Sequence, residues 1–509
     1  MIFRAGLALV MGASPLLVDL SPAAASPRLR FDDITKAAGI TTARTRTWGA
    51  MWSDYDVDGD PDVFLNQHWN DPHLYRNFEA RYRLQAERFV ELPGYEGPEY
   101  YRVDRHGCAW GESNGDGRPD LYCTVGTDSG TSWGPNQLAV PTSPQRFTDR
   151  AREYGVSDKY GRGRSVNWLD FDGDADLDLF VANDLRAGTT NLMLRNTGVG
   201  FEQATVGVED QLRSLTSTWA DWDDDGDPDL LVTQGQVTGA GSDPAVAYLN
   251  LGGTFVRTSL PGITDDAWKS AAWGDFDGDG LPDLHLVKID RAVIFHNTGG
   301  SFEPAHDMSL ERGRSSGWID VENDGNLDLY VVQGATAGPP NQGPNLPDFF
   351  LRQSPSDQPG WRRVDHLSFA GRTAGNGDSV AVADHDRDGR QDLFVTNGHN
   401  PSDWRGRSSL LRNTTYARLW AGLALHGQRG NPQGIGAKIS VVAGPLAYER
   451  QVTDAVGYRG QSELGYVHLG LDSAIAATVR IEWPSGATDC VEARAGAIRG
   501  VTEGESPCE

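Results

Sequence analysis

Seven nine-residue segments carry most of the chemistry this chain can perform. They read D-Y-D-V-D-G-D-P-D at Asp54–Asp62, E-S-N-G-D-G-R-P-D at Glu112–Asp120, D-F-D-G-D-A-D-L-D at Asp170–Asp178 and D-W-D-D-D-G-D-P-D at Asp221–Asp229. The others are D-F-D-G-D-G-L-P-D at Asp275–Asp283, D-V-E-N-D-G-N-L-D at Asp320–Asp328 and D-H-D-R-D-G-R-Q-D at Asp384–Asp392. Oxygen-bearing side chains recur at positions 1, 3, 5 and 9. In order these are Asp54, Asp56, Asp58 and Asp62; Glu112, Asn114, Asp116 and Asp120; Asp170, Asp172, Asp174 and Asp178; Asp221, Asp223, Asp225 and Asp229. Then follow Asp275, Asp277, Asp279 and Asp283; Asp320, Glu322, Asp324 and Asp328; Asp384, Asp386, Asp388 and Asp392. Carboxylates this crowded repel one another unless a cation stands between them. An all-oxygen, flexible ligand set suits calcium, whereas magnesium demands a tight octahedron and zinc prefers nitrogen or sulfur.

The spacing excludes an EF-hand, which needs a bidentate acid at position 12. That position holds Leu65, Cys123, Val181, Val232, Leu286, Val331 and Val395, so the acid at position 9 must close each loop, with a backbone carbonyl near position 7 as a further ligand. The expectation is up to seven calcium sites of mainly structural role. Two loops depart from the pattern. The second has Asn114 and Arg118, and the third has Ala175 where the others have glycine and the backbone needs positive φ. The loops hold 31 of the 71 acidic residues, so much of the formal charge of −26 is ligand rather than solvated surface. With a Kd of roughly 10⁻⁴ to 10⁻³ M, each site adds only about 1 kcal/mol at millimolar calcium.

The elements that must position these loops recur with them, at intervals of 45 to 64 residues. A short apolar run follows every loop, and a tryptophan stands two residues ahead of the first acid in six copies: Trp52, Trp110, Trp168, Trp219, Trp273 and Trp318. A third run recurs as L-Y-R-N, L-M-L-R-N, Y-L-N, I-F-H-N, F-F-L-R-Q and L-L-R-N, and several copies continue into G-x-F. Short β-rich runs hinged at Gly/Asp turns read as antiparallel strands, and this period is that of a four-stranded propeller blade. The fold expected is all-β, a seven-bladed β-propeller over residues 28–414. The segment near 31–35 supplies the last strand of the last blade, which leaves no free edge. Alternating runs over 415–509 predict a small antiparallel β-domain.

Strands that carry the loops at one end must emerge at the other. Six residues before the first acid stand Trp48, His106, Arg164, Leu215, Lys269, Arg314 and Asp378. Five after the last acid stand Gln67, Val125, Asn183, Gln234, Lys288, Gln333 and Asn397. The expectation is a funnel for an anionic or polyhydroxylated ligand, a small molecule, glycan or protein. His106, Arg164, Lys269 and Arg314 would supply charge, and Asn183, Gln234, Gln333 and Asn397 would supply hydrogen bonds. The alternative is that these residues pair with neighbouring acids and line a wet channel. His68, His73 and His399 fall in post-strand loops of adjoining blades, either as a cluster or as unrelated surface histidines.

With 71 acidic against 45 basic residues, the chain is a poor nucleic-acid binder. Residues 1–25 have the pattern of a secretory signal, an arginine and an apolar run ending in Ala23-Ala24-Ala25, and no stretch is long and apolar enough to span a membrane. A secreted or periplasmic location follows, in which Cys108 and Cys123, and Cys490 and Cys508, are the simplest disulfide pairs.

The loops resemble the calcium loops of integrin α-chain propellers and of FG-GAP/VCBS repeat proteins. Asn431-Pro432, Gly434-Ile435-Gly436-Ala437, Gly457-Tyr458, Gln461-Ser462, His468-Leu469-Gly470-Leu471 and Trp483-Pro484-Ser485-Gly486 resemble the ASPIC/UnbV domain. The combination resembles the cartilage acidic protein family, which implies secretion, calcium binding and an interaction role. UnbV takes its name from enediyne biosynthesis clusters, so the second reading is a tailoring enzyme of cyclase type that uses the face opposite the loops. No set of catalytic residues comes with the resemblance, and the chain has no G-x-S-x-G or H-E-x-x-H motif.

Overall fold

The computed structural model describes residues 28–41, 47–67, 71–78, 89–92, 103–126, 135–144, 146–184, 189–235, 243–264, 267–334, 346–353, 360–365, 377–397, 407–428, 430–454 and 459–508. Seven four-stranded antiparallel sheets follow one another, each running outward in strand order. In the first blade these strands are Thr47–Ser53, Asp62–Gln67, His73–Asn77 and Phe89–Glu91. The two inner strands are buried along their whole length. Blades stacked face to face cover both sides of a strand, so its burial is continuous rather than alternating.

The loop sits at the same register in every blade. The acid at position 9 opens the second strand and pairs with the residue just before position 1: Ser53 with Asp62, Gly111 with Asp120, Leu169 with Asp178, Ala220 with Asp229, Gly274 with Asp283, Ile319 with Asp328 and Ala383 with Asp392. Phe31–Asp33 pairs with Leu411–Asn413 as the outer strand of the seventh blade, and Phe31 stacks on Phe350 of the sixth at 5.3 Å. Cys108–Cys123 joins directly opposed residues of the second blade, and Cys490–Cys508 ties down the C-terminal tail.

Blades are fastened to their predecessors by repeated side chains. The indole N–H groups of Trp168, Trp219 and Trp318 donate to the carbonyls of Ala109, Trp168 and Ala272 in the blade before. The amide at the end of the third strand does the same. Asn77, Asn250, Asn297, Gln353 and Asn413 donate to the carbonyls of His385, Phe171, Trp222, Phe276 and Val321, each the second residue of the preceding loop. The Asn77–His385 bond crosses from the first blade to the seventh.

The C-terminal region forms two further sheets. One has Leu419–His426 at its centre, antiparallel to Tyr466–Asp472 and parallel to Ile498–Thr502. The other contains Leu446–Gln451, Lys438–Ala443, Ala476–Glu482 and Thr488–Arg494. Ala476–Glu482 alternates buried and exposed side chains, as a strand with one wet face does, around a core that includes Leu423, Ile439, Val479 and Ile481.

This region also reaches into the ring. Gln461 exchanges backbone hydrogen bonds with Ala50 and Trp52, and its amide brackets the backbone of Trp110. Glu463 N–H donates to Val382, and Asp454 accepts from Trp168 N–H at 2.6 Å, the Trp219 indole at 3.0 Å and the Asn167 amide at 3.2 Å. The approach needs glycine on both sides. A Cβ on Gly49 would stand 2.1 Å from the Arg459 carbonyl, and one on Gly460 would stand 2.2 Å from that of Val380. These partners belong to the innermost strands of the first, second, third, fourth and seventh blades, so the segment around Asp454 and Arg459–Glu463 plugs the ring from its loop end.

Replacing Asp454 by alanine leaves two buried donors, the Trp168 N–H and the Asn167 amide, without that acceptor, leaves the Trp219 indole only the Trp168 carbonyl, and costs about 3 kcal/mol. Equilibrium denaturation should show that loss, with limited proteolysis cutting between the propeller and the C-terminal region first. An unchanged midpoint would contradict the assignment of the plug.

Candidate functional site

Each loop is wound by its own acids. The carboxylate at position 1 accepts backbone N–H groups from further along the loop: Asp54 from Asp58 and Gly59, Asp221 from Asp225 and Gly226, Asp320 from Asp324 and Gly325, Asp384 from Asp388 and Gly389. The turn takes left-handed backbone at positions 4 and 6, which places Val57 at φ 58° and Ala175 at φ 71°, both strained for residues with a side chain. The acid at position 9 is an anchor. One oxygen of Asp62, Asp178, Asp229, Asp283, Asp328 and Asp392 accepts the N–H that ends the third strand, at 2.7 to 2.8 Å.

The remaining oxygens converge. Asp54, Asp56 and Asp58 present atoms within 4.8 Å of one another, as do Asp170, Asp172 and Asp178, and Asp221, Asp223 and Asp225. One buried oxygen each of Asp62, Asp120, Asp172 and Asp223 has no hydrogen-bond donor. Burial, reinforced by the neighbouring acids, pushes Asp178 up to about 9, Asp229 and Asp283 to about 8, and Asp56 and Asp170 to about 6. Such a donor set fits a hard divalent cation, whose charge would lower all of these again. The second loop fits less well. Asp120 takes the N–H and hydroxyl of Ser113 and the side-chain amide of Asn114 at 3.2 Å, so Asn114 points a donor, not an oxygen, at the closing acid.

A set of partners was missed in reading the sequence. The basic residue in each L-x-R-N run projects back over the loop of its own blade. Arg76 meets Asp56 and Asp58, Arg195 meets Asp172 at 2.6 Å, Arg352 meets Glu322, and Arg412 meets Asp386 at 2.5 Å and Asp388 at 3.1 Å. His296 stands 3.2 Å from Asp277 and 3.3 Å from Asp279. In the fourth blade this slot is Leu249, and the cation comes instead from Lys438 of the C-terminal region, 2.8 Å from Asp221 and 2.6 Å from Asp224. The signal was the letter before the final Asn or Gln in each third run, which is basic in five blades.

The opposite end departs from a ring of free charges. His106 is buried against Trp48 and Asp104, and burial, followed by Arg164 and outweighing Asp104, holds it well below the ordinary imidazole range. It is therefore neutral. Arg164 is matched by Asp184 at 3.0 Å, which also binds Arg162 at 2.9 Å, and Arg459 from the plug covers Trp48 at 3.8 Å. Asn183, Gln234, Gln333 and Asn397 are buried, and their amide groups donate to the carbonyls of Thr190, Pro244, Pro347 and Arg407, tying down the loop that follows. They hold backbone rather than face a ligand.

Lys269 and Arg314 differ. With Arg312 they form a cationic group that has no acidic partner among the described residues. Burial, then the two guanidinium groups, depresses Lys269 to about 8. His73 is paired with Glu91 at 2.6 Å, while His68 and His399 lie outside the described residues, as does the signal segment 1–25.

Residues 113–181, 170–232 and 221–286 match the FG-GAP-like repeat, and residues 427–498 match ASPIC and UnbV. Cartilage acidic protein 1 of Xenopus tropicalis is 23% identical over 498 residues, a match that covers 86% of this chain and 70% of that protein. Two solved structures are similar in fold. BBS1N in complex with ARL6DN has 9% identity and a TM-score of 0.44 over 73% of this chain and 94% of that one. The extracellular domain of the one-component system BT4673 from B. thetaiotaomicron has 9% identity and a TM-score of 0.42 over 94% and 60%.

Two outcomes follow from the loops. A carboxyl whose folded-state pKa is raised destabilises the fold once ionised. That penalty is absent below about 4, the range where free carboxylates titrate, and is complete above about 9. Melting of the calcium-free protein should therefore fall as pH rises across this window, and saturating calcium should flatten the slope; a flat calcium-free profile would refute the reading. Arg195→Leu, which gives the third blade what Leu249 gives the fourth, should enlarge the rise in Tm on adding calcium. An equal rise in both proteins would show that Arg195 does not compete with the ion.

Proposed function

We propose that this chain, which carries FG-GAP-like repeats and an ASPIC/UnbV domain, is an exported propeller stiffened by calcium that works as an interaction scaffold. The residues that would hold the ion are the acids at positions 1, 3 and 5, the carbonyl near position 7 and the free oxygen of position 9. The ion would supply positive charge where repulsion is greatest, and no bond is made or broken there. Two disulfides fit folding in an oxidising compartment, and no helix among the described residues is long and apolar enough to cross a membrane.

The observation that carries the binding role is the trio Lys269, Arg312 and Arg314. Among the described residues these cations have no acidic partner, an unfavourable arrangement on a protein of formal charge −26 unless something anionic visits them. The ligand class is an anionic, hydroxyl-bearing molecule, glycan or protein segment, held by charge-assisted hydrogen bonds.

Binding of a sulfated oligosaccharide should weaken steeply with salt. It should fall at least tenfold in Lys269→Glu with Arg314→Glu, while Arg164→Gln, already neutralised by Asp184, changes it little. Equal binding by the double variant would sink the anion site. Metal analysis of protein purified from the culture supernatant or periplasm should return calcium in several equivalents; none, in protein whose melting ignores chelator, would sink the calcium role.

A further inference from the structure

A cavity of about 200 Å³ lies between the loop end of the fifth and sixth blades and the C-terminal sheets. It is independent of the cationic trio, which stands at the other end of the strands. Three of its lining side chains, Trp273, Tyr466 and His468, each carry a buried polar atom with no hydrogen-bond partner: the indole Nε1, the phenol oxygen and the imidazole Nδ1. Buried polar atoms are nearly always satisfied, so three orphans on side chains that line one space point to an absent occupant that hydrogen-bonds.

The chemistry of the three atoms is defined. An indole N–H can only donate, and a phenol can do both. The tautomer of His468 follows from its neighbours. Asn323 gives its amide hydrogens to the carbonyls of Gly389, at 2.7 Å, and Arg418, at 3.3 Å, so its oxygen faces His468 Nε2 at 2.8 Å. Nε2 therefore carries the proton, and Nδ1 offers a lone pair. The cavity presents one donor, one acceptor and one group that serves as either, the complement of hydroxyls on neighbouring carbons.

The charges that line the cavity have partners. Lys438 is held by Asp221 and Asp224, Glu463 by Arg387, and Glu449 accepts from the Ser440 hydroxyl. Arg450 donates to the carbonyls of Gly325 and Glu449 and acts electrostatically on Asp275 and Asp320, the two remaining lining acids. A charged ligand would break these pairs; a neutral one leaves them intact. The volume corresponds to about seven waters at about 30 Å³ each, the scale of a single sugar ring.

We infer that this interdomain cavity is a binding site for a neutral monosaccharide or cyclic polyol, held by Trp273, Tyr466 and His468.

Saturation-transfer NMR on the calcium-loaded full chain, with glucose, galactose, mannose and myo-inositol as probes, tests this. At least one probe should bind with millimolar or better affinity. Tyr466→Phe and Trp273→Phe, which keep shape and remove one polar group each, should both weaken it about tenfold while the melting temperature stays near wild type. Should Trp273→Phe fail to fold, Tyr466→Phe alone decides. Binding unmoved by the variants overturns the site, as does failure of every probe together with a crystal structure that shows only water between the three atoms. Arg314→Glu, at the far end, should leave sugar binding unchanged, which separates failure of this site from failure of the anion site.

Discussion

Each of six blades hangs from a buried carboxylate that does two incompatible things. One oxygen at position 9 grips the end of the third strand, and the asparagine or glutamine at that point, in five of them, reaches back to the preceding loop. The grip is good only if the acid is buried, and burial raises the free energy of the same acid when ionised. The anchor therefore has to be compensated nearby. Positive charge at the centre of the loop, whether guanidinium or ion, is what lets one residue serve as hinge and anion together.

The compensation is not uniform around the ring. Four blades supply a guanidinium from their own third strand, the fifth sets His296 there, the fourth borrows Lys438 from the C-terminal region, and the second relies on hydroxyl and amide donors. The repeats are thus equivalent in backbone and inequivalent in electrostatics. The C-terminal region is not an appendage to this frame: it donates charge to one loop and backbone hydrogen bonds to the inner strands of several blades.

The all-β class and the seven copies were legible because they rest on local, repeated signals: acids at fixed offsets, a preceding tryptophan, and apolar runs of strand length. Cys108 and Cys123 could be paired for a similar reason, since they lie on two strands joined by one loop. What was not legible depends on register between strands far apart. The side chain of Arg76 or Arg412 meets its loop only because the third strand begins where it does, and nothing within Asp54–Asp62 announces it. Arg164 looked like a free charge until Asp184 was placed beside it. His106 looked cationic until its burial was known. Asn183 and Asn397 looked like ligand contacts because polarity in a sequence does not reveal whether the partner is a solute or the next turn of backbone.

The strand that closes the ring brings a kinetic burden. Phe31–Asp33 belongs to the seventh blade, yet its partners lie about 380 residues downstream, so the loop to be closed is nearly the whole propeller. As the chain emerges from its amino terminus onward, six blades can stack while the first residues wait without a neighbour and the ring stays an open arc. The segment that fills the axis comes later still, around Asp454, and finds its seats on the first, second, third, fourth and seventh blades. The arc thus acquires its lock and its spindle last, and until then its sheet edge and its central tryptophans are open to other chains.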